Sequence, residues 1–599
     1  MCGIAGILTN NEYRDNLETL IQRMGNALQH RGPDDAGKYI SQERQVAFAH
    51  TRLSILDLSP AGHQPMSTAD ERYWITFNGE VYNFQQLRHN LISQGEIFKS
   101  QTDTEVILKL YQIQGADCVE HLRGMFAFAI WDNLEKTCFI ARDPLGIKPL
   151  YYWQSGSTLV FASELRAILA SGLPERNLSH SGLYGYLTTG SVPEPYTLVE
   201  GIQCLPAGSW LRWQSSNITQ KEYWQIKFTP QKYSLQEAQE RVRTALVDSI
   251  QHHFVSDVPV GIFLSGGIDS SSVLALASQT QSQELRTYSI AFNESQWNEG
   301  TIAEEVAKVF GAKHTEFRIT AASAKELLPK YLKSIDQPSI DGFNTFCVSK
   351  VAHDNGTKVV LSGLGGDELF GGYQSFQKVP QMVKRSKQLQ AIPLLSSVTG
   401  TGLASFGTPK TKRLGDFLMQ TPNSTNAYRS FRGIFSHREA AAIAQQYFSS
   451  ERSSSKYNAS VSDFPMQFST LEDEVSFLEL TCYMRNQLLR DSDVMSMAWG
   501  LELRVPLVDR ALLEAVASIP SNLRLAVGKE LLIQAVPELP EWVYNRPKKG
   551  FAFPFEQWMS NEWQEYFADV NVSKNIPLNP WYRRWSVAIL KHWWKQVTA

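Results

Sequence analysis

The sequence predicts two folds in one chain: an α+β antiparallel sheet domain, then a doubly wound α/β domain that finishes in helices. Three observations predict this. The chain has 599 residues, more than one hydrophobic core supports, so two large domains, or up to about four of roughly 150 residues each, are expected. Up to about residue 210, short β-type runs at 45–49, 74–77, 125–131, 137–141 and 159–162 alternate with turn signals, and helical spacing appears only between them, at 17–28 and 103–114. Beyond a polar stretch at 213–235, a helix at 236–254, a buried strand at 258–264, a strand at 287–292, a helix at 302–310 and a strand at 358–361 follow in the order of a parallel sheet with crossover helices. From 377 to 465 the pattern weakens into loop-like pieces, the Ser-rich 449–455 among them, and past Leu471 helices dominate.

Composition excludes several classes of function. Lys plus Arg number 57 against 60 Asp plus Glu, a net charge of -3, so no basic excess offers itself to nucleic acid or anionic lipid. No apolar run reaches the roughly 18 residues of a membrane helix, and the opening residues lack a basic flank and meet Asn10, Asn11 and Glu12 at once. Neither membrane spanning nor secretion is expected. The six cysteines, Cys2, Cys118, Cys138, Cys204, Cys347 and Cys482, show no paired spacing, which fits a reducing compartment, and the cytoplasm is the expected location. Five of them read as packing residues.

Cys2 differs by position. Removal of Met1, common before a small residue, leaves Cys2 with a free α-amine whose ordinary pKa of about 7.7 to 8 suits it to take the proton of a thiol near 8.5. Nucleophile and base then arrive in one residue. Four further motifs follow the opening Cys2-Gly3-Ile4-Ala5-Gly6-Ile7 in order: His30-Arg31-Gly32-Pro33-Asp34, Arg52-Leu53-Ser54-Ile55, Asn78-Gly79-Glu80-Val81-Tyr82-Asn83 and Asp103-Thr104-Glu105. Together they resemble the class II, N-terminal-nucleophile glutamine amidotransferases. The resemblance implies that Cys2 attacks the glutamine amide, while the Asn78 side chain and the Gly79 N–H form an oxyanion hole, donors worth about 10² to 10³ in rate. Arg52, Glu80 and Asp103 fit the needs of glutamine's α-carboxylate and α-ammonium, with Arg52 able to grip a carboxylate as a fork. The family-like runs at 142–152 and 162–164 read as scaffold.

After the strand ending at Leu264 comes Ser265-Gly266-Gly267-Ile268-Asp269-Ser270 and then a run that can form a helix. Two glycines admit backbone N–H groups to an anion, Ser265 and Ser270 can donate, and the helix N-terminus adds partial positive charge. No Lys-Ser/Thr ending follows, so this is not a Walker loop. It resembles the loop of ATP pyrophosphatases, which split ATP between the α and β phosphates. A second cluster, Leu361-Ser362-Gly363-Leu364-Gly365-Gly366-Asp367-Glu368-Leu369-Phe370-Gly371-Gly372-Tyr373, is similar to the asparagine synthetase family. That resemblance implies ATP and Mg²⁺ as cofactors, Asp269 and Asp367 as ligands to Mg²⁺, and Leu264, Ile290, Ser362 and Gly363 along the nucleotide. In Arg546-Pro547-Lys548-Lys549-Gly550-Phe551 it implies that Lys548 neutralises the leaving pyrophosphate. In the 493–506 run, Asp493, Glu502 and Arg504 are candidates for substrate contact.

The resemblance runs from Cys2 to about Trp558. It implies an αββα glutaminase over 1–212, a linker at 213–235, and over 236–599 an ATP-pyrophosphatase domain, similar to adenine nucleotide α-hydrolases, with a helical C-terminal part. The implied activity is glutamine-dependent, ATP-consuming amidation of a carboxylate, aspartate first. The assembly considered is a homodimer. Two positions depart from the family: an acidic residue usually stands where this chain has Leu364, and the usual acidic-acidic-proline segment reads Asp336-Gln337-Pro338. Leucine cannot manage the proton of incoming ammonia. The same chemistry on another metabolite or sugar carboxylate is therefore the alternative, ahead of ring closure within one substrate and of a nucleotide-binding scaffold.

Overall fold

The computed structural model describes residues 2–10, 13–292, 300–392, 395–448, 468–546, 553–568, 570, 572–573 and 575–598. Its first part is two six-stranded sheets packed face to face. One orders its strands Ile202–Cys204, Tyr151–Ser155, Thr158–Ala162, Gly3–Leu8, Val46–Arg52 and Asp35–Ile40. The other runs Asn217–Glu222, Ser209–Gln214, Thr137–Arg142, Gly124–Asp132, Tyr73–Val81 and Met66–Ser67. Ile4, Leu8 and Phe48 from the first sheet interleave with Ala127, Trp131 and Ile140 from the second, because alternate residues of each strand face the gap. Helix Leu17–Ala27 covers the outer face of one sheet and helix Asp103–Gln114 that of the other, giving four layers. Thr102 fixes where the second helix starts, its hydroxyl accepting from the Glu105 N–H at 3.2 Å.

The hairpin Ser209–Gln214 and Asn217–Glu222 belongs to the second sheet, so the antiparallel domain runs beyond the boundary expected at 212. Asn217–Glu222 is an exposed edge strand, and an edge strand with a wet outer face reads as polar linker in sequence. The connection after it pairs with the second half instead of spanning free space: Thr229 and Gln231 donate main-chain N–H groups to Ala517 and Ser518 carbonyls.

Helix Leu235–His253 opens the second half behind a reciprocal Ser234 and Glu237 capping box. A five-stranded parallel sheet follows, ordered Lys313–Ile319, Arg286–Phe292, Val260–Phe263, Val359–Leu361 and Glu502–Arg504. Chain order reverses between Val260–Phe263 and Val359–Leu361, and the carboxyl ends at such a switch point open a crevice for ligand. Both phosphate motifs leave the sheet there. The stretch expected to be loop-like from 377 onward is helical instead: helices Ser375–Gln390, Leu395–Phe406, Pro409–Leu418 and Ser424–Arg432 pack around Val379, Val383, Phe417 and Tyr428, and helix His437–Ala444 joins the other core through Ala440 and Ile443. Residues 449–455 lie outside the described residues. Among the described residues no helix is long and apolar enough to cross a membrane.

Candidate active site

Cys2 enters the inner edge of the first sheet and is buried. Its main-chain N–H donates to the Asn78 side-chain oxygen at 3.0 Å, and its carbonyl accepts from the Arg31 Nε–H at 3.0 Å. This fixes the orientation of the Asn78 amide: with its oxygen on Cys2, its Nδ2 is a buried donor with no protein partner. A buried orphan donor costs stability unless something else accepts from it. Gly79 follows at φ 154°, and a Cβ there would meet the Met125 carbonyl at 2.1 Å, so only glycine lets this strand lie so close to Gly124–Asp132. Burial pushes the Cys2 thiol up, against the pull of positive charge that includes Arg52. His50 is held neutral, pushed down to about 3 by burial, with Nε2 at 3.1 Å from the Phe77 carbonyl.

Asp103 and Glu80 are buried beside this pair. Burial raises Asp103 to about 6, although its Oδ2 accepts from the Val81 N–H at 2.9 Å. Burial and the neighbouring Glu502 carboxylate together hold Glu80 well above the usual range, with Arg504 opposing them. Arg52 sends Nη1 to the Ser59 carbonyl at 3.1 Å and Nη2 to the Leu56 and Asp57 carbonyls at 3.2 and 2.5 Å. Its guanidinium thus shapes the 56–59 loop, which leaves the Nε–H and one Nη1–H for a ligand.

The second site is a cavity of about 900 Å³ at the switch point. Leu264, Ser265, Gly266, Gly267, Asp269, Ser270, Ile290, Ser362, Gly363 and Asp367, scattered over a hundred positions, line it together. The two glycine motifs are pressed against each other. A Cβ on Gly363 would meet the Ser270 nitrogen at 2.7 Å, and one on Gly366 would meet the Asp269 carboxylate at 2.3 Å. Ser265 and Ser270 hydroxyls lie 3.1 Å apart at the start of helix Ile268–Thr280, where main-chain N–H groups and the helix dipole favour an anion.

Lys529, which the sequence reading did not single out, joins the two acidic positions. Its Nζ bonds both Asp269 oxygens, at 2.6 and 2.5 Å, and also the Asp367 carboxylate. It is 4% exposed and sits at φ 62° after Gly528 at φ 78°, a left-handed pair that turns the lysine inward. That turn was the only signal in sequence, and a single Gly-Lys step is too common to be read as one. A converging carboxylate pair already shared by one cation fits a divalent cation that completes its shell with phosphate oxygens. Among the described residues no group of three or more His, Cys, Asp or Glu side chains is placed to hold a metal alone. Lys548, expected at the pyrophosphate, lies outside the described residues. Leu364 lines the cavity and packs on the apolar core. Glu368, four residues on, is pushed up to about 8 by burial, Asp367 and Glu479, and accepts from the Tyr373 hydroxyl at 2.9 Å.

Asp493, Glu502 and Arg504, expected at the substrate, are not among the residues that line the cavity, although Ser492 and Leu503 beside them are. They line the seam between the two halves, on the glutaminase side. Asp493 pairs with Arg31 at 2.8 Å and with Lys148 at 3.2 Å, so it holds the arginine that holds the Cys2 carbonyl. Arg504 donates to Glu502 at 2.5 Å and lies 3.5 Å from Glu80. Burial would raise Glu502, and Arg504 and Lys148 are among the positive charges that oppose it and hold the carboxyl below its ordinary range. Charges buried this deeply persist only when paired, which is why they face each other across the seam.

Two stacked antiparallel sheets holding a buried Cys2, joined to a parallel sheet with a glycine-walled cleft, define a glutamine amidotransferase joined to a nucleotide-dependent synthetase. Known proteins agree in both halves. Residues 1–224 match the model of the glutamine amidotransferase domain, and residues 241–595 match that of asparagine synthase. The chain belongs to the asparagine synthase family. Glutamine-hydrolyzing asparagine synthetase 1 of Bacillus subtilis (strain 168) is 33% identical over 590 residues, covering 95% of this chain and 90% of that protein. A putative glutamine-hydrolyzing asparagine synthetase of Mycobacterium tuberculosis (strain H37Rv) is 31% identical, covering 90% and 84%. A protein named amidase chry2 of Gibberella zeae is 27% identical, covering 96% and 92%.

Proposed function

We propose that this chain is a cytoplasmic glutamine-hydrolysing asparagine synthetase, converting aspartate, glutamine, ATP and water to asparagine, glutamate, AMP and pyrophosphate. The observation that supports this most is the orphaned Asn78 Nδ2 beside Cys2, in a chain whose other half carries the glycine-walled cleft. In the glutaminase half, with Met1 removed, the Cys2 α-amine takes the thiol proton as Sγ attacks the glutamine amide carbon. Asn78 Nδ2 and the Gly79 N–H stabilise the oxyanion. The proton passes to the departing nitrogen, ammonia leaves, and water hydrolyses the thioester to glutamate. Arg52 holds the α-carboxylate, and Glu80 and Asp103, ionised, hold the α-ammonium.

In the synthetase half, Ser265, Ser270 and the helix N-terminus bind the β and γ phosphates. An aspartate β-carboxylate oxygen attacks the α phosphorus, pyrophosphate leaves, and ammonia displaces AMP from the acyl carbon. Asp269 and Asp367 would hold Mg²⁺, which would supply neutralisation of the pyrophosphate charge. Lys529 shares that duty from inside the protein. Leu364 in the cleft favours a second reading, the same chemistry on a different carboxylate. The test is pyrophosphate release with glutamine, ATP and a panel of carboxylates headed by aspartate, with mass spectrometry of the product. Release and amidation with another acid, but not with aspartate, would select the second reading.

A further inference from the structure

Arg504 is hydrogen-bonded within the synthetase half and faces a carboxylate of the glutaminase half, Glu80, as an ion pair at 3.5 Å. Its strand, Glu502–Arg504, is parallel to Val359–Leu361 with Leu361 opposite Arg504, and its carbonyl accepts from the N–H of Ser362, the first residue of the second phosphate motif. The side chain points the other way. Nε donates to Glu502 at 2.5 Å, Nη1 donates to the carbonyls of His253 and Val255 at 2.8 and 2.7 Å, and Nη2 lies 3.5 Å from Glu80. The guanidinium carbon is 5.6 Å from the Tyr82 ring centre. Arg504 is 0% exposed, so each of these contacts is free of competing water.

The contacts with His253 and Val255 continue toward Arg52. Two residues on, the Asp257 N–H donates to the Ile55 carbonyl at 3.0 Å, and its carboxylate accepts from the Asp57 N–H at 2.8 Å. Asp57 is a carbonyl partner of Arg52. One guanidinium therefore supports Glu80 directly and, through the 253–257 segment, the loop that sets Arg52. Those are the groups at opposite ends of the glutamine head group.

We infer that Arg504 is a positioning residue for glutamine, supplied to the glutaminase by the synthetase sheet, which sets the spacing between Glu80 and the Arg52 loop. The inference rests on the proposed placement of glutamine at Arg52, Glu80 and Asp103. Arg504 touches no substrate and transfers no proton. Its effect is on affinity for glutamine, because the distance between the carboxylate that holds the ammonium and the guanidinium that holds the carboxylate must match one amino acid.

The test is steady-state kinetics on the full-length protein carrying Arg504→Lys, which keeps the charge and loses the planar fork. The KM for glutamine should rise by about ten-fold or more, in line with the cost of misplacing a positioning group. Synthesis driven by ammonium chloride should stay within about two-fold of the parent. Adding Glu80→Gln to Arg504→Lys should cost less than the two changes cost separately, because both act on one carboxylate. Asp257→Ala, on an exposed side chain that folding tolerates, interrupts the same relay and should raise the KM for glutamine by about three-fold. An unchanged glutamine KM in Asp257→Ala overturns the inference, as does a parallel fall of both activities in a folded Arg504→Lys protein. A parent protein that makes product with ammonium but never with glutamine overturns the underlying placement of glutamine, and the inference with it.

Discussion

Lys529 holds both carboxylate oxygens of Asp269, at 2.5 and 2.6 Å, from a position 260 residues away in sequence. Burial alone would depress this lysine, but Asp269 and Asp367 outweigh it and keep it charged. Its loss leaves two carboxylates facing each other where a polyanion must bind. For Lys529→Met, pyrophosphate release should fall by about 10² to 10³, the usual cost of one electrostatic donor in a closed site. Glutamine hydrolysis should persist. Equal loss in both assays would show that the lysine acts on folding instead.

Cys2→Ala should abolish glutamine-driven synthesis and leave synthesis from ammonium chloride, because nucleophile and adenylating cleft belong to different sheets. Product analysis with each nitrogen source checks this. Intact-mass measurement of the active parent should also find Met1 removed, since an acylated Cys2 nitrogen cannot accept the thiol proton.

Asn78→Ala removes the orphan donor. The kcat for glutamine hydrolysis should drop by about 10² to 10³ with a smaller change in KM, since the donor acts on the oxyanion more than on the ground-state carbonyl. Burst kinetics with glutamine would report the same loss at the acylation step. A variant that changes KM alone would remove Asn78 from the oxyanion hole.

Asp103 titrates near 6 in the folded chain, raised by burial from an ordinary 3.8. Its contribution to stability is complete below about 3.8 and is lost as pH rises through about 6, because the folded state then carries a buried charge. In the proposed placement of glutamine, binding of its ammonium needs that charge. The kcat/KM for glutamine should therefore fall on the acid side with an apparent pKa of about 6 or above, since Glu80 is raised as well, a limb absent from ammonium-driven synthesis once free ammonia is accounted for. Asp103→Asn should flatten the stability profile between pH 4 and about 6 in denaturant melts while abolishing glutamine use.

Gly363→Ala places a methyl 2.7 Å from the Ser270 nitrogen and 2.9 Å from the Asp269 carbonyl carbon. The two phosphate motifs must separate to admit it, at a cost of about 1 to 3 kcal/mol of stability. ATP affinity measured by calorimetry should fall by about ten-fold or more, in line with that strain, while glutaminase kinetics stay close to the parent. Unchanged ATP affinity would place the nucleotide away from this contact.

What the sequence determined by itself was local. Ser265 to Ser270 reads as an anion loop because the glycines, hydroxyls and following helix are neighbours in the chain, and Cys2 reads as a nucleophile because its base is its own amine. The parallel strands were legible as short apolar runs, since a strand buried on both faces has little choice of residue. The helices at 375–444 were not, because their apolar stripes are short and interrupted by polar residues, and their packing on one another selects the helix. Lys529 was beyond reach, and the contacts of Arg504, read as a candidate for substrate contact, were too, for a related reason. A buried charge is tolerated only where partners converge on it, and for Lys529 those partners are Asp269 and Asp367, for Arg504 Glu502 and Glu80. That convergence is a property of how the sheets close, and tertiary structure alone decided that the Glu502 and Arg504 side chains turn toward Glu80 while Leu503 between them lines the cavity.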